Sequence, residues 1–424
     1  MPGRLTSLRA PRRPGKQRYP PAVIGLQDVE DARRRVTPVL RATPVTVSDS
    51  LSHVAGRQVL LKPEHLQRTG SFKVRGAYNF ISQLPAGEAV VAASAGNHAQ
   101  GVALAGSLTA HPATIFMPAS ATLPKVVATR GYGATVRLEG DGIEECIGGA
   151  RAFAEANGAV FVPPFDDPLV VAGQGTVGLE VAEQAPAGAG ELGYVVVPVG
   201  GGGLIAGVAT ALAHTRRGVR VIGVEAAGAD SMLQSVRAKQ PVSLERVATM
   251  ADGIAVRAPS ELTLAHVLAY VDDIVTVTEE ETSHALLLLL ERAKAVVEPA
   301  GAVALAAILA GKIPGREPAL AVLSGGNVDP LLLIKLIEHG LSAAGRYLVL
   351  RIVVDDRPGS LAALTDSVAR LGLNVLSVEH HRAGARVGVD EVEVVVTVET
   401  RDPEHRDAVV TALSQAGFAV ELVG

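Results

Sequence analysis

From Leu26 to about residue 340 the chain alternates short, almost purely apolar runs with alanine-rich stretches, and this rhythm restricts its fold more than any other feature. The runs at 59–61, 89–93, 113–117, 135–138, 160–162, 194–199 and 219–224 lack the polar residue at every second position that a strand with one wet face carries. Such strands need helices over both faces, and the alanine-rich stretches supply them. The pattern therefore predicts an α/β fold of parallel strands joined by right-handed crossovers. Ligands in such sheets sit in crevices beyond the carboxyl ends of the strands. The folded part should begin near Val23, with a helix showing Leu26, Val29, Ala32 and Val36 on one face and Asp28 as its cap.

From Tyr347 onward the pattern changes. Strands are expected at 347–354, 374–379, 391–400 and 419–423, with one helix at 358–371 and another opened by Asp402-Pro403 and closed by Gly417. Leu361, Leu364, Val368 and Leu371 share a face of the first, and Gly372 stops it. The order βαββαβ is a ferredoxin-like unit. Glu338-His339-Gly340 and Ala343-Ala344-Gly345 set it apart, so the chain divides into a main unit at 22–340 and an appended domain at 346–424. Residues 1–21 hold Arg4, Arg9, Arg12, Arg13, Lys16 and Arg18, five prolines and no acid, which reads as a disordered basic tail; the prolines spoil the amphipathic helix of a transit peptide.

Composition narrows the function classes. Net charge is −4, from 39 Lys+Arg against 43 Asp+Glu, so no basic field exists to hold nucleic acid. The most apolar stretches, 285–290 and 302–310, are far shorter than the ~20 residues of a membrane span. The lone Cys146 makes neither an internal disulfide nor a cysteine zinc site, and it points to a reducing, cytoplasmic setting.

Four motifs carry chemistry. Residues 195–199 form a strand that runs into Gly200, Gly201, Gly202 and Gly203 and then a helical stretch from Leu204. A helix N-terminus offers unpaired amides, and glycines let a phosphate reach them. A tight turn is the bland reading, and a dinucleotide site competes. Gly201, Gly203 and Ala206 fit the G-x-G-x-x-A spacing, and Glu225 ends the next strand where a ribose-binding acid would stand. In Thr69-Gly-Ser-Phe-Lys-Val-Arg-Gly-Ala77 a single lysine, Lys73, sits in small and apolar surroundings. A lone lysine is usually a solvated charge, but one desolvated by Phe72 and Val74 has the lowered pKa a Schiff base needs. Ser94, Ala95, Gly96, Asn97 and His98 occupy a strand-to-helix turn whose donors suit a carboxylate, although a helix cap by Ser94 or Asn97 reads equally well. His98 alone indicates neither a base nor a metal ligand. Ser324 follows the apolar strand 319–323 and precedes two glycines, where an ordinary turn serine is also found.

Together these motifs resemble those of fold-type II pyridoxal-phosphate enzymes, specifically threonine ammonia-lyases with a single regulatory domain. The resemblance covers nearly all of the chain beyond the basic tail. It implies two α/β subdomains with parallel or mixed sheets, helices on both faces, and pyridoxal 5′-phosphate as cofactor. By resemblance Lys73 holds the cofactor as a Schiff base and acts as the catalytic residue, with Phe72 packed beside the ring. Asn97 contacts the phenolic oxygen, residues Ser94 to His98 receive the substrate carboxylate, Gly200 to Leu204 hold the phosphate, and Ser324 faces the pyridine nitrogen. Residues 297–302 and 173–177 match further family motifs without a sharp role. The implied activity is deamination of L-threonine to 2-oxobutanoate and ammonia, and of L-serine to pyruvate. A serine racemase or serine dehydratase remains an alternative, and a nicotinamide-dependent dehydrogenase is the alternative from another class. Some racemase relatives bind a divalent cation on the stretch beginning at Glu225, but Ser231 stands where their aspartate is, so no metal is expected.

The C-terminal unit resembles an ACT domain, with Asp355-Asp-Arg-Pro-Gly-Ser-Leu361 as its ligand loop. The resemblance implies pairing into a homodimer or homotetramer and an amino-acid or nucleotide effector flanked by Gly359 and Asn374. A dimerisation unit without ligand has the same fold.

Overall fold

Two separate sheets build the main unit of the computed structural model, which describes residues 24–185, 191–343, 345–382 and 388–423. The larger sheet has six strands in the spatial order Thr46–Val47, Val59–Lys62, Ala319–Val322, Tyr194–Pro198, Arg220–Ala226, Asp273–Val277. All neighbours are parallel except the two-residue edge strand Thr46–Val47. The smaller sheet is wholly parallel, in the order Thr135–Leu138, Ala113–Met117, Val90–Ala93, Val160–Phe161. The rhythm of apolar runs foretold these strands, but not Asp273–Val277 or Thr46–Val47, which are sheet edges with polar residues among the apolar ones.

The lack of polar alternation has its cause in burial from both sides. Val59, Leu61, Tyr194, Val196, Ile222 and Val224 pack under the helix Pro299–Leu309, while Leu60, Val195, Val197, Val221, Leu320 and Val322 pack under Gly203–Thr215. Each strand thus feeds two cores with alternate residues.

The first helix is Leu26–Val36, with Val29, Ala32 and Val36 buried. Asp28 is not its cap as expected. It stands one turn in, and its carboxylate accepts the Gly25 N–H at 2.8 Å, so an aspartate carrying the right charge for a helix start sits at the third position. The tail at 1–21 lies outside the described residues.

The C-terminal unit is the ferredoxin-like fold the sequence implies. Its antiparallel sheet runs Val375–His381, Glu391–Glu399, Tyr347–Asp355, Ala419–Leu422, and the helices Ser360–Arg370 and Pro403–Gln415 connect it. Leu348, Leu350, Ile352 and Val354 meet Leu364, Val368, Val409 and Leu413 in a core of its own. Leu364 and Val368 are buried as expected, but Leu361, in the first helical turn, is 37% exposed. Gly372 adopts φ +69 just past the helix, the left-handed conformation that ends it. Among the described residues no helix is long and apolar enough to cross a membrane.

Candidate active site

Three neighbouring parallel strands of the larger sheet release, at their carboxyl ends, three of the motifs read from the sequence. Val59–Lys62 leads to the Lys73 loop, Ala319–Val322 to Ser324, and Tyr194–Pro198 to Gly200. The first two loops are fastened to each other. The Phe72 N–H donates to the Ser324 carbonyl at 3.1 Å, and the Gly326 N–H to the Gly70 carbonyl at 2.9 Å. The fourth motif comes from the smaller sheet, where Asn97 opens the helix Asn97–Leu108 behind Val90–Ala93. The amide of Asn327 donates to Asn97 Oδ1 at 2.7 Å and to the Thr69 carbonyl at 2.8 Å. The site is thus a cleft between the carboxyl ends of two sheets.

Lys73 begins the helix Lys73–Ile81, and its Nζ donates to the Pro164 carbonyl at 3.0 Å. It lies 5.3 Å from the centre of the Phe72 ring. Burial pulls its ammonium down to about 8, and the carboxylate of Glu298 limits the fall. The helix is held from below by a buried ionic cluster. Arg75 clasps Glu64 through two contacts of 2.8 Å and reaches Glu180 at 2.6 Å, while Lys62 meets Glu180 at 2.6 Å. Residues 173–177 gain their role here. A Cβ on Gly173 would come within 2.6 Å of Gly76 Cα, Gln174 accepts the Gly76 N–H, and Thr176 accepts from Arg75. Small residues let the helix Pro168–Gln184 press against the lysine helix, and polar ones fix the register.

The glycine loop is crowded on one side and unpaired on the other. A Cβ on Gly201 would meet the Phe165 ring at 2.3 Å, and one on Gly203 would meet Phe165 Cβ at 2.9 Å; Gly202 adopts φ +88. The N–H groups of Gly201, Gly202, Gly203, Leu204 and Ile205 find no acceptor among the described residues, and the helix Gly203–Thr215 starts in their midst. Such a loop could hold a phosphate. The dinucleotide reading fails on Glu225. Both its oxygens accept amides, from Met232 and Leu233 at 2.8 Å each, and the residue is fully buried, so it is turned away from any ribose.

Asn97 is no helix cap. Its Nδ2 donates to Glu298 Oε1 at 2.5 Å while Oδ1 accepts from Asn327, and both ends of the amide are fixed. Glu298 is the residue whose role the sequence hid. It is buried, and burial together with nearby Asp252 pushes its carboxyl up to about 7. Gly325 makes room for it, since a Cβ there would fall 2.3 Å from Glu298 Oε1 and 2.8 Å from Asn97 Nδ2. Ser94, Ala95, Gly96 and Asn97 are half-buried at the cleft; Ser94 Oγ accepts the Gly96 N–H, and the N–H groups of Ala95, Asn97 and His98 find no acceptor among the described residues. The His98 ring is committed elsewhere, with Nε2 2.9 Å from the Val162 carbonyl. Since a carbonyl only accepts, Nε2 carries the proton; burial and the Lys73 charge hold the ring neutral, with its pKa down at about 3. Ser324 is buried with only a long 3.4 Å contact to the Ala300 carbonyl, so its hydroxyl is available. Thr69 Oγ1 and Ser71 Oγ, just ahead of Lys73 in the chain, are buried without a partner among the described residues. Two hydroxyls left in that state at a cleft are apt for a bound polar group.

The appended domain distributes its two expected effector residues. Asn374 lines a cavity of about 890 Å³. Gly359 precedes and Asn374 follows the 11-residue helix Ser360–Arg370, so about 16 Å of helix separates them within one chain.

A buried amine of lowered pKa, a bare-amide phosphate cradle and a buried neutral hydroxyl on one sheet edge are what a pyridoxal-phosphate site requires, and they define the class. Residues 36–325 match the family model described as pyridoxal-phosphate dependent enzyme, and the chain belongs to that family; residues 348–418 match the ACT domain. Pyridoxal 5′-phosphate is its cofactor. The L-threonine ammonia-lyase of Thermotoga maritima is 46% identical over 406 residues, spanning 95% of this chain and 100% of that protein. The processed form of threonine deaminase isoform 2 from Solanum lycopersicum superposes with a TM-score of 0.70 at 38% identity, covering 74% of this chain and 86% of that one. Maize serine racemase also reaches 0.70, at 34% identity over 75% of this chain and 98% of its own.

Proposed function

We propose that this chain is a threonine ammonia-lyase, converting L-threonine to 2-oxobutanoate and ammonia and L-serine to pyruvate. The observation that carries the reading is Lys73, an amine whose pKa burial lowers to about 8, which feels the carboxylate of Glu298, the partner of Asn97. The identity of 46% with an L-threonine ammonia-lyase along nearly the whole of both chains supports the same reaction.

Bound in this cleft, pyridoxal phosphate supplies an electron sink that makes the α-carbon of an amino acid acidic. The chain does the rest. The amides from Gly201 to Leu204 bind the phosphate and fix the ring's position. Ser324 offers the pyridine nitrogen a neutral hydroxyl, which leaves that nitrogen less fully protonated than an aspartate would and favours elimination over transamination. Asn97, held at both ends by Glu298 and Asn327, would contact the ring's phenolic oxygen. The free amides at Ala95, Asn97 and His98 receive the substrate carboxylate. With the cofactor bound, Lys73 would take the α-proton as general base, and a pKa near 8 gives it the neutral form that role needs. The β-hydroxyl would leave as water, and hydrolysis of the released enamine would give 2-oxobutanoate and ammonia.

The ACT domain serves a small-molecule effector in this reading, with Asn374 and Gly359 in its binding surface. A second copy pairs through the edge strand Val375–His381, whose Val375, Leu376 and Val378 are exposed hydrophobics at an open sheet edge. The test of the activity is product analysis. Protein loaded with pyridoxal phosphate should form 2-oxobutanoate from L-threonine, whereas D-serine from L-serine without keto acid would make it a racemase.

A further inference from the structure

Ser71, two residues before Lys73, is fully buried, and its hydroxyl finds no partner among the described residues. A buried donor left alone costs free energy, so at a functional cleft it calls for a partner that arrives with a ligand. The backbone shows which way it points. Ser71 and Gly325 form an antiparallel bridge, and its two hydrogen bonds flank the pair, from the Phe72 N–H to the Ser324 carbonyl and from the Gly326 N–H to the Gly70 carbonyl. This is the non-hydrogen-bonded kind of pair, whose two side-chain positions stand on one face about 4.5–5.5 Å apart. A Cβ on Gly325 would fall 2.3 Å from Glu298 Oε1 and 2.8 Å from Asn97 Nδ2. The Ser71 side chain thus leaves its backbone on the face where Asn97 and Glu298 meet.

We propose that Ser71 is a second hydrogen-bond donor, beside Asn97, to the phenolic oxygen of bound pyridoxal phosphate, an assignment that rests on the contact proposed for Asn97. The Asn97 amide has little left to give. Asn327 donates to the Thr69 carbonyl, which only accepts, and its other N–H goes to Asn97 Oδ1, so the Nδ2 end of Asn97 is turned to Glu298. Glu298 takes one of its two hydrogens, and one remains for the ring.

A phenolic oxygen that carries negative charge, close to a carboxylate and away from water, is poorly solvated by a single amide N–H. A hydroxyl on the same face supplies a charge-assisted bond. Thr69 Oγ1 is also buried without a partner, but Gly70, at φ +70, separates it from the bridge, and no pairing sets it on that face.

Melting temperature of the full-length protein, with cofactor removed and restored, and cofactor affinity from absorbance titration test the assignment. In cofactor-free protein Ser71→Ala deletes a hydroxyl without a partner, and the melting temperature should be unchanged or higher. Affinity for pyridoxal phosphate should fall about tenfold or more, and the rise in melting temperature on loading should shrink with it. Ser71→Cys, a weaker donor of similar size, should fall between the two. With a cofactor analogue lacking the phenolic oxygen, Ser71→Ala should lose nothing, and an equal loss there would place the bond at another atom and refute the assignment. Melting lowered equally with and without cofactor would make Ser71 a structural residue, partnered by water or a neighbour in both states, and refute it as well. Full affinity in Ser71→Ala with a loss in Asn97→Ala overturns Ser71 and leaves the Asn97 contact standing, whereas full affinity in both variants overturns the two together. A loss in Thr69→Val with none in Ser71→Ala would move the second donor to Thr69.

Discussion

Glu298 and Asn97, 201 positions apart in the chain, meet at 2.5 Å where the two sheets of the main unit face each other. The carboxylate has almost no water around it and lies near Lys73 and Asp252, so its protonation and the orientation of the Asn97 amide are linked. The group that fixes Asn97 therefore titrates near neutral pH.

That pKa has a consequence for stability. A carboxyl raised from 4.5 to about 7 in the folded protein binds its proton more tightly there than in the unfolded chain. Its contribution is full at acid pH and is lost as pH rises through 7. Comparing chemical denaturation at pH 5 and pH 8, Glu298→Gln should remove about 3 kcal/mol of the fall shown by the unmodified protein. An unchanged fall would mean Glu298 is ionised throughout.

Lys73 should be reactive well below the range of ordinary lysines. In protein stripped of cofactor, modification by an amine-directed reagent, read at Lys73 by peptide mass analysis, should rise with pH around a midpoint near 8. A midpoint near 10.5 would show that burial leaves the amine untouched.

The glycine loop tolerates no side chain where Phe165 stands. Gly201→Ala places a methyl group 2.3 Å from the ring atoms and displaces the amides that cradle the phosphate. Affinity for pyridoxal phosphate, from absorbance titration, should drop about tenfold or more, which is roughly 1.4 kcal/mol. Equal affinity would place the phosphate elsewhere.

Arg75 is a stability residue beneath Lys73. Arg75→Met leaves Glu64 and Glu180 facing each other without a cation between them except Lys62. Loss of about 3–5 kcal/mol in denaturant unfolding is expected, the range for breaking a buried ion pair. A loss under about 1 kcal/mol, the scale of a surface pair, would show that water reaches the cluster.

Much of this was legible in the residues. The apolar runs gave the parallel strands because burial on both faces leaves no place for alternation, and the βαββαβ order of the tail end survived intact. Edge strands such as Asp273–Val277 were missed because an edge keeps polar residues. Lys73, Asn97, Ser324 and the glycines stood out as candidates because each motif follows a strand, and the structure places their loops at the carboxyl ends of the two sheets. Glu298 was quoted within a motif yet had no assignable role, since its meaning lies in a partner 201 positions away. The cap expected at Asp28 is Gly25, three positions earlier, because an acid near a helix start serves equally at the cap or at the third residue. The expected helix at 358–371 already set Gly359 and Asn374 at opposite ends of one element, and the fold keeps them there.

The central claim is that Lys73 holds pyridoxal phosphate and works on threonine. The most direct measurement is the visible absorption spectrum of the purified protein and of Lys73→Ala, recorded with cofactor before and after L-threonine, with keto acid assayed alongside. The account predicts a yellow band in the unmodified protein that shifts on threonine addition with formation of 2-oxobutanoate, and neither the shift nor turnover in Lys73→Ala. No band in the presence of added cofactor, or a Lys73→Ala protein with about one-tenth or more of the activity, a barrier change of only about 1.4 kcal/mol, would contradict it.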